Sequence, residues 1–469
     1  MTSTVPGSPD LHYLTLSQLS GLIRLRLLSA REAVDHQLSR IATTGASLGA
    51  YSFVAADQAR ARADELDREL GSGRWRGPLH GVPIAVKDIY EVAGWPAEMG
   101  MPVRVGTVST TTATVVTRLV DAGAVILGKL HTTEGVYAEH TAPFTAPLNP
   151  WDTSRWVGVS SSGSGVAAAA GLAFATLGSD TGGSIRMPAA ATGATGLKPT
   201  WGRVSRAGVF ELAATLDHVG PLCRSVEDAA AILQVIAGPD PHDPTAALRA
   251  VPDLAAGDVT QLTGMRVGVD VDWALTDTSE DVQRALREAL EVFRSLGAVI
   301  VPLRFPPTVQ VVEDWFAVCG VQTARAHGGT YPGAADQYGP ALRELIELGR
   351  GLSGTQYQEL LLRRADFKGR AVAALAAVDA MIVPGLPFVA PPAADMVRMD
   401  AATVARVHRY TVPFTMSQLP TLTMPGGFSA DGLPAAIQLV AGEFGEVALV
   451  RLGAAFQRVT PWADRHPDL

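Results

Sequence analysis

Only two cysteines, Cys223 and Cys319, occur in 469 residues. That is too few for a disulfide framework in a chain of this length, which fits a reducing compartment and makes both thiols expected core residues. Charge is also sparse: Asp, Glu, Lys and Arg make up 18% of the chain, with a net charge of −8 and a pI near 5.7. There is no basic stripe of the kind that tracks phosphates, so no nucleic-acid partner is expected. The longest weakly polar run, residues 165–177, has 13 positions, short of a bilayer span, so no membrane partner is expected. Residues 1–10 lack a basic stretch followed by an apolar one, so no signal peptide is read there and the expected location is cytoplasmic. No internal repeat or low-complexity tract is present.

What the chain does have is a large apolar fraction, 47%, with a mean hydropathy of +0.18, enough to fill a sizeable core. Helical spacing of apolar residues runs through 15–41 and 55–70, and Ser29 followed by Glu32 matches a capping box. Short apolar runs read as buried strands at Gly81-Val-Pro-Ile-Ala-Val86, Ala124-Val-Ile-Leu127 and Phe174-Ala-Thr-Leu177, separated by helical patterns at 114–122 and 166–173. Further on, helices at 225–237 and 279–296 alternate with strands at Met265-Arg-Val-Gly-Val269, Ala298-Val-Ile-Val301, Ala380-Met-Ile-Val383 and Ile437-Gln-Leu-Val440. Repeated alternation predicts an α/β protein, a sheet with helical cover. The Pro/Asp-rich segment 238–244 reads as an exposed loop inside one domain.

The chemistry concentrates in Val157-Gly-Val-Ser160-Ser161-Ser-Gly-Ser-Gly165 and Gly178-Ser-Asp180-Thr-Gly182-Gly183-Ser184-Ile-Arg186. Two serines, 24 positions apart (184 minus 160), stand in backbone that can approach a substrate closely and turn amide N–H groups toward it. A nucleophile and an oxyanion hole need such backbone.

Together with Gly81-Val-Pro-Ile-Ala-Val-Lys87-Asp88, Gly196-Leu-Lys-Pro-Thr200, Gly202-Arg-Val-Ser205, Asp217-His-Val-Gly220-Pro221 and Gly432-Leu-Pro434, these segments resemble the amidase signature family from about residue 15 to the C-terminus. The resemblance implies a single α/β/α domain over residues 1–469, with a large mixed, twisted sheet covered by helices on both faces. It implies hydrolysis of a carboxylic amide C–N bond by a Ser-Ser-Lys triad: Ser184 as nucleophile, Ser160 as relay and Lys87 as base. The amides of Thr181, Gly182, Gly183 and Ser184 match the oxyanion hole, and Ser161, Asp180 and Arg186 the polar support behind it. The family holds its relay serine on a cis peptide in Gly-Gly-Ser-Ser-Gly-Gly-Ser. This chain has Val159 before Ser160, which leaves Ser161 as the alternative relay.

The chemistry is consistent with that assignment. A serine hydroxyl needs a neighbouring base, and a lysine can be one only when neutral, as desolvation at the end of an apolar strand would make it. Neither a metal nor a cofactor is expected. The expected partner is a small-molecule amide, ester or carbamate, with a homodimer as one candidate assembly. Residues 1–70 are expected to be helical, and a helical insertion at about 310–375 is expected to line the substrate pocket. Tyr137, Phe144, Trp315, Phe316 and Phe388 are the candidate pocket residues, in a wider apolar set with Trp95, Met99, Met101, Phe210 and Tyr357. They point to an aryl or bulky apolar amide.

The alternative is the glutaminase component of a tRNA-dependent amidotransferase. Its usual aspartate, three residues before Thr-x-Pro, is replaced here by His408 before Thr411-Val-Pro413, which leaves a substrate ammonium without a counter-charge. Three look-alikes are set aside. Gly123 to Lys129 has P-loop spacing but an apolar strand inside it. Gly45-Ala-Ser47-Leu-Gly49 reads as a connection between helices. Asp217-His218 are adjacent and so poorly placed for a Ser-His-Asp relay. His131, Glu134, Glu139 and His140 show no zinc spacing and are expected to be solvated or to border the site.

Overall fold

The computed structural model describes residues 11–255, 257 and 259–469. Eleven strands form one mixed sheet: β1 (Tyr51–Val54), β2 (Pro83–Lys87), β3 (Val125–Leu130), β4 (Ala175–Asp180), β5 (Thr195–Lys198), β6 (His218–Cys223), β7 (Arg266–Val269), β8 (Val299–Pro302), β9 (Ala380–Pro384), β10 (Thr421–Phe428) and β11 (Pro434–Val440). Their order is β1-β3-β2-β4-β6-β5-β10-β11-β9-β7-β8. β2 runs parallel to both β3 and β4, and β7 parallel to β8 and β9, while the remaining pairs are antiparallel.

Alternation along β2 shows how both faces are covered. Ile84 and Val86 join an apolar cluster with Leu177, Val226 and Ala229. Ala85 joins a different cluster with Val125, Leu127, Val166 and Ala167. Successive strand residues point to opposite faces, so helix Val226–Ile236 covers one side and helix Ser162–Ala169 the other. Lys87 continues the alternation of Ala85 and is therefore directed to the second helix, just beyond whose N-terminus Ser160 and Ser161 lie. Because β2 and β4 are parallel, their carboxyl ends, Lys87 and Ser179-Asp180, emerge at the same edge, where a crevice forms in such sheets.

Several boundaries differ from expectation. The segment 15–41 forms two helices, Leu16–Arg24 and Ala30–Arg40, and the break occurs where Arg26 adopts φ 57°. The second helix carries the full Ser29/Glu32 capping box. The N-terminal part is not wholly helical, since β1 lies within it. The alanine-rich helix starts at Ser162 and ends at Ala169, earlier than the apolar run suggests. Gly45 to Gly49 does not join two helices: it completes a π-helical turn, Ile41–Gly45, and a short helix, Ala46–Leu48, that leads into β1. In the insertion, helices Val309–Ala326, Pro340–Arg350 and Gly354–Leu375 pack together.

Candidate active site

Lys87 closes β2 with no exposed surface. Its Nζ lies 2.7 Å from Ser160 Oγ, 3.1 Å from Ser161 Oγ and 3.0 Å from Ser179 Oγ. Ser161 Oγ donates to Ser179 O (3.1 Å) and accepts from Ser179 N–H (3.2 Å), so toward Lys87 it can only accept. The Ser160 hydroxyl has no such competing acceptor among the described residues and is free to direct its proton to Nζ. Gly178 makes room for this arrangement, because a Cβ there would come within 2.8 Å of Ser161 Oγ.

Three oxygens around Nζ would satisfy an ammonium as well as an amine, so the charge environment decides between them. Burial pushes the Lys87 ammonium well below its usual range, and the negative charges of Asp180 and Asp217 offset only part of that.

Ser160 and Ser161 are buried, whereas Ser184 is partly exposed and lines a cavity of about 770 Å³. Enclosure therefore decreases from Lys87 and Ser160 to Ser184, which faces the cavity. The Val159–Ser160 peptide is cis, and Ser161 N–H donates to Ser184 O (3.3 Å), tying the two serine segments together. At Gly158, φ is 76° and a Cβ would overlap the backbone at Pro188, so glycine is required just before Val159.

The Gly-Gly-Ser turn is held by Asp180. Its Oδ1 accepts from Gly183 N–H (2.9 Å) and its Oδ2 from Ile185 N–H (3.1 Å), while Arg186 clamps both oxygens through Nη2 (2.7 Å) and Nε (2.9 Å). Both side chains are fully enclosed. Burial would raise the Asp180 carboxyl, but Arg186, with Lys198 and His218, outweighs it and holds the carboxyl well below the usual range. The guanidinium also donates to Thr411 O and Thr415 Oγ1, both at 2.7 Å. Of the four amides expected in an oxyanion hole, that of Gly183 is thus already engaged. Those of Thr181, Gly182 and Ser184 make no hydrogen bond among the described residues, and all three residues line the cavity.

The cavity wall is formed in part by Tyr137, Trp156, Met187, Leu212, Trp315 and Phe316. The insertion supplies the last two, together with Glu344 and Leu345 from helix Pro340–Arg350. Phe144 and Phe388 do not line it: Phe388 sits behind the wall, packed against the cluster of Met187 and Met396, and Phe144 lies on the loop after Thr141. Trp95, Met99, Met101, Phe210 and Tyr357 are likewise outside the lining. Ring-to-ring distance cannot be read from sequence spacing across such a loop.

His408 does line the cavity, with its ring 5.1 Å from that of Trp315 and 5.5 Å from that of Phe316. Burial keeps it uncharged, pushed down to about 4. Glu134 is not solvated: it is buried, accepts from Gly339 N–H and Thr141 Oγ1 and anchors the start of helix Pro340–Arg350. His140 contacts Ser162 Oγ at 3.1 Å. Lys129, in the P-loop look-alike, lies on β3 paired with Asp88 at 3.0 Å. Ser179 and Asp217, both absent from the expected site, are brought to it. Their hydroxyl and carboxyl types were visible in the motifs, but not their contacts.

Among the described residues no cluster of three or more His, Cys, Asp or Glu side chains is gathered as for a metal, and no helix is long and apolar enough to cross a membrane. The family model named Amidase matches residues 32–450. A Mycobacterium tuberculosis protein designated AmiD, an amidase by name, is 42% identical over 100% of this chain and 99% of its own length. A component of the glutamyl-tRNA(Gln) amidotransferase of Chloroflexus aggregans is 36% identical over 98% of this chain and 99% of its own. The solved peptide amidase of Stenotrophomonas maltophilia superposes with a TM-score of 0.83 at 29% identity, covering 99% of both chains. With the fold, the motifs and these end-to-end similarities in agreement, the chain belongs to the amidase signature family, whose members hydrolyse amides.

Proposed function

We propose that the protein hydrolyses a neutral carboxylic amide with a bulky apolar or aryl group, through an acyl intermediate on Ser184. Lys87, as a neutral amine, takes the proton of Ser160; Ser160 takes that of Ser184; and Ser184 Oγ bonds to the carbonyl carbon. The carbonyl oxygen, now negative, is received by the free amides at Thr181, Gly182 and Ser184. The proton returns through Ser160 to the leaving nitrogen, the C–N bond breaks, and water repeats the sequence on the acyl-serine to release the acid.

The observation that carries this reading is the 2.7 Å contact of Lys87 Nζ with Ser160 Oγ in an enclosure of hydroxyls. It lies beside a cavity-facing serine with unpaired amides. Ser160 is favoured over Ser161 as relay, because the Ser161 hydroxyl is committed to Ser179 O.

The composition of the wall supports the substrate class. Most of the wall is aromatic and aliphatic; of its charged residues, Glu344 and Arg398 are exposed and Glu139 is half-buried. The uncharged His408, placed against Trp315, offers no counter-charge to a substrate ammonium, which argues against a free-glutamine substrate and the amidotransferase role. Esters and carbamates pass through the same tetrahedral oxyanion and are expected as further substrates, a carbamate releasing carbon dioxide after loss of its alcohol or amine.

A panel of aryl and alkyl nitroanilides, the matching esters and carbamates, and glutamine tests this on the purified protein. Turnover of the apolar anilides and accumulation of an acyl adduct on Ser184 in the intact mass are expected. The adduct should vanish in Ser184→Ala, and Ser160→Ala should lower kcat about 100-fold. Glutaminase activity without anilide turnover would overturn the reading.

A further inference from the structure

We propose that Trp315 is a positioning residue that aims the Gly182 N–H at the developing oxyanion, a role that rests on the hydrolase reading above. The indole Nε1–H donates to Thr181 O at 2.8 Å in the buried interior. Thr181 O and Gly182 N–H belong to one trans peptide unit. In a planar trans unit the carbonyl and the N–H point in opposite directions, so a bond that fixes one fixes the other. Trp315 thereby turns the Gly182 N–H away from itself, and that N–H has no partner among the described residues.

The ring also takes the space where a side chain on residue 182 would stand: a Cβ there would overlap Trp315 Cζ2. A second contact holds Thr181 through its side chain. Thr181 Oγ1 donates to Asp217 Oδ1 at 2.6 Å, and Asp217 is itself fixed by N–H groups of Leu212 (3.0 Å) and Ala213 (3.0 and 3.1 Å). Helix Val309–Ala326 carries Trp315 and also Gln322, whose Oε1 accepts from Thr215 N–H of that loop at 2.9 Å. The insertion thus braces Thr181 twice, directly through the indole and through the loop that holds Asp217.

Trp315 also lines the cavity, so a simple wall residue and a positioning residue predict different kinetics. The wall would act on substrate binding, whereas the indole N–H would act only where negative charge builds on the carbonyl oxygen.

Trp315→Phe keeps a ring and removes the donor. Loss of a whole oxyanion donor costs about 100- to 1,000-fold in kcat, so misaiming one is expected to cost roughly 10- to 100-fold, with KM changed by less than about threefold. A trifluoromethyl ketone carrying the same acyl group, which becomes a tetrahedral alkoxide on Ser184, should lose affinity by the same factor. Thr181→Val, which removes only the bond to Asp217, should shift kcat and inhibitor affinity in the same direction by a smaller factor, and it decides the matter if Trp315→Phe does not fold. Raised KM with unchanged kcat and inhibitor affinity in these variants would overturn the assignment while leaving the hydrolase reading intact. Failure of the wild-type protein to form the Ser184 adduct or turn over any anilide would remove both.

Discussion

Strands β2 and β3 run side by side, each delivering a lysine into an enclosed interior, and the two lysines are surrounded differently. Lys129, on β3, has a carboxylate at 3.0 Å, that of Asp88. Lys87, one strand over, has three serine hydroxyls and no carboxylate within ion-pair distance among the described residues. Neither has measurable exposure. Burial lowers both, and for Lys129 the paired charge of Asp88 works against that. At Lys129 desolvation is answered by a directly paired carboxylate and at Lys87 it is not, which favours the neutral amine at Lys87. The contrast is sharper because the chain has only four lysines, at 87, 129, 198 and 368, and the first three are fully buried. Lys198, the third, spends its donors on Leu419 O (2.5 Å) and Pro199 O (3.3 Å), away from any hydroxyl relay.

The largest effect should come from removing the unpaired lysine. Lys87→Met is expected to lower kcat by about 10,000-fold or more, measured on the best anilide. Its stability should move the other way. A lysine whose folded pKa is depressed binds a proton in the unfolded chain that it lacks when folded, so between the depressed value and the ordinary one it favours unfolding, increasingly as pH falls. Lys87→Met should therefore melt higher than wild type near neutral pH, with the gain shrinking as pH rises. A lower melting temperature would break the comparison.

Lys129→Met should do the converse. It leaves Asp88, which also accepts from Met99 N–H at 3.1 Å, without its cation, and breaking a buried pair costs about 3–5 kcal/mol. Denaturant unfolding should record that loss, while kcat of the folded protein stays within about threefold of wild type. Loss of kcat without loss of stability would place Lys129 in the chemistry.

The smallest effect is expected for Ser179→Ala. This removes an acceptor that steadies the charged form of Lys87, so the limb of the pH–rate profile on which Lys87 loses its proton should move to lower pH, with maximal kcat changed by about threefold or less. Movement to higher pH would mean that the hydroxyl supports the amine instead.

Much of this site is written locally. The β2 run ending in lysine, the Gly-Gly-Ser turn and the serine-rich segment are each short stretches whose composition states their backbone geometry, and they were legible as such. Four strands were not. β6 contains Gly220 and Pro221, and β10 contains Pro425, Gly426 and Gly427, residues that mark turns in isolation and are accommodated here by neighbouring strands. β5 and β1 have only four residues each, too few to show a period. Ser179, Asp217 and the indole of Trp315 meet the site from 92, 36 and 134 positions away from their partners, distances over which a sequence carries no spacing signal. The same holds for the misplaced Phe144 and Phe388, whose apolar character was evident and whose direction was not.

The protonation of Lys87 is the centre of the account, and four lysines make it directly observable. With lysine labelled with carbon-13 at Cε, each side chain gives one resonance whose shift reports amine or ammonium, and Lys87 is assigned by the signal lost in Lys87→Met. The account predicts that this resonance is that of a neutral amine at about pH 8 and turns to ammonium only well below the ordinary lysine value of about 10.4. A Lys87 signal that remains ammonium up to about pH 10 would contradict it.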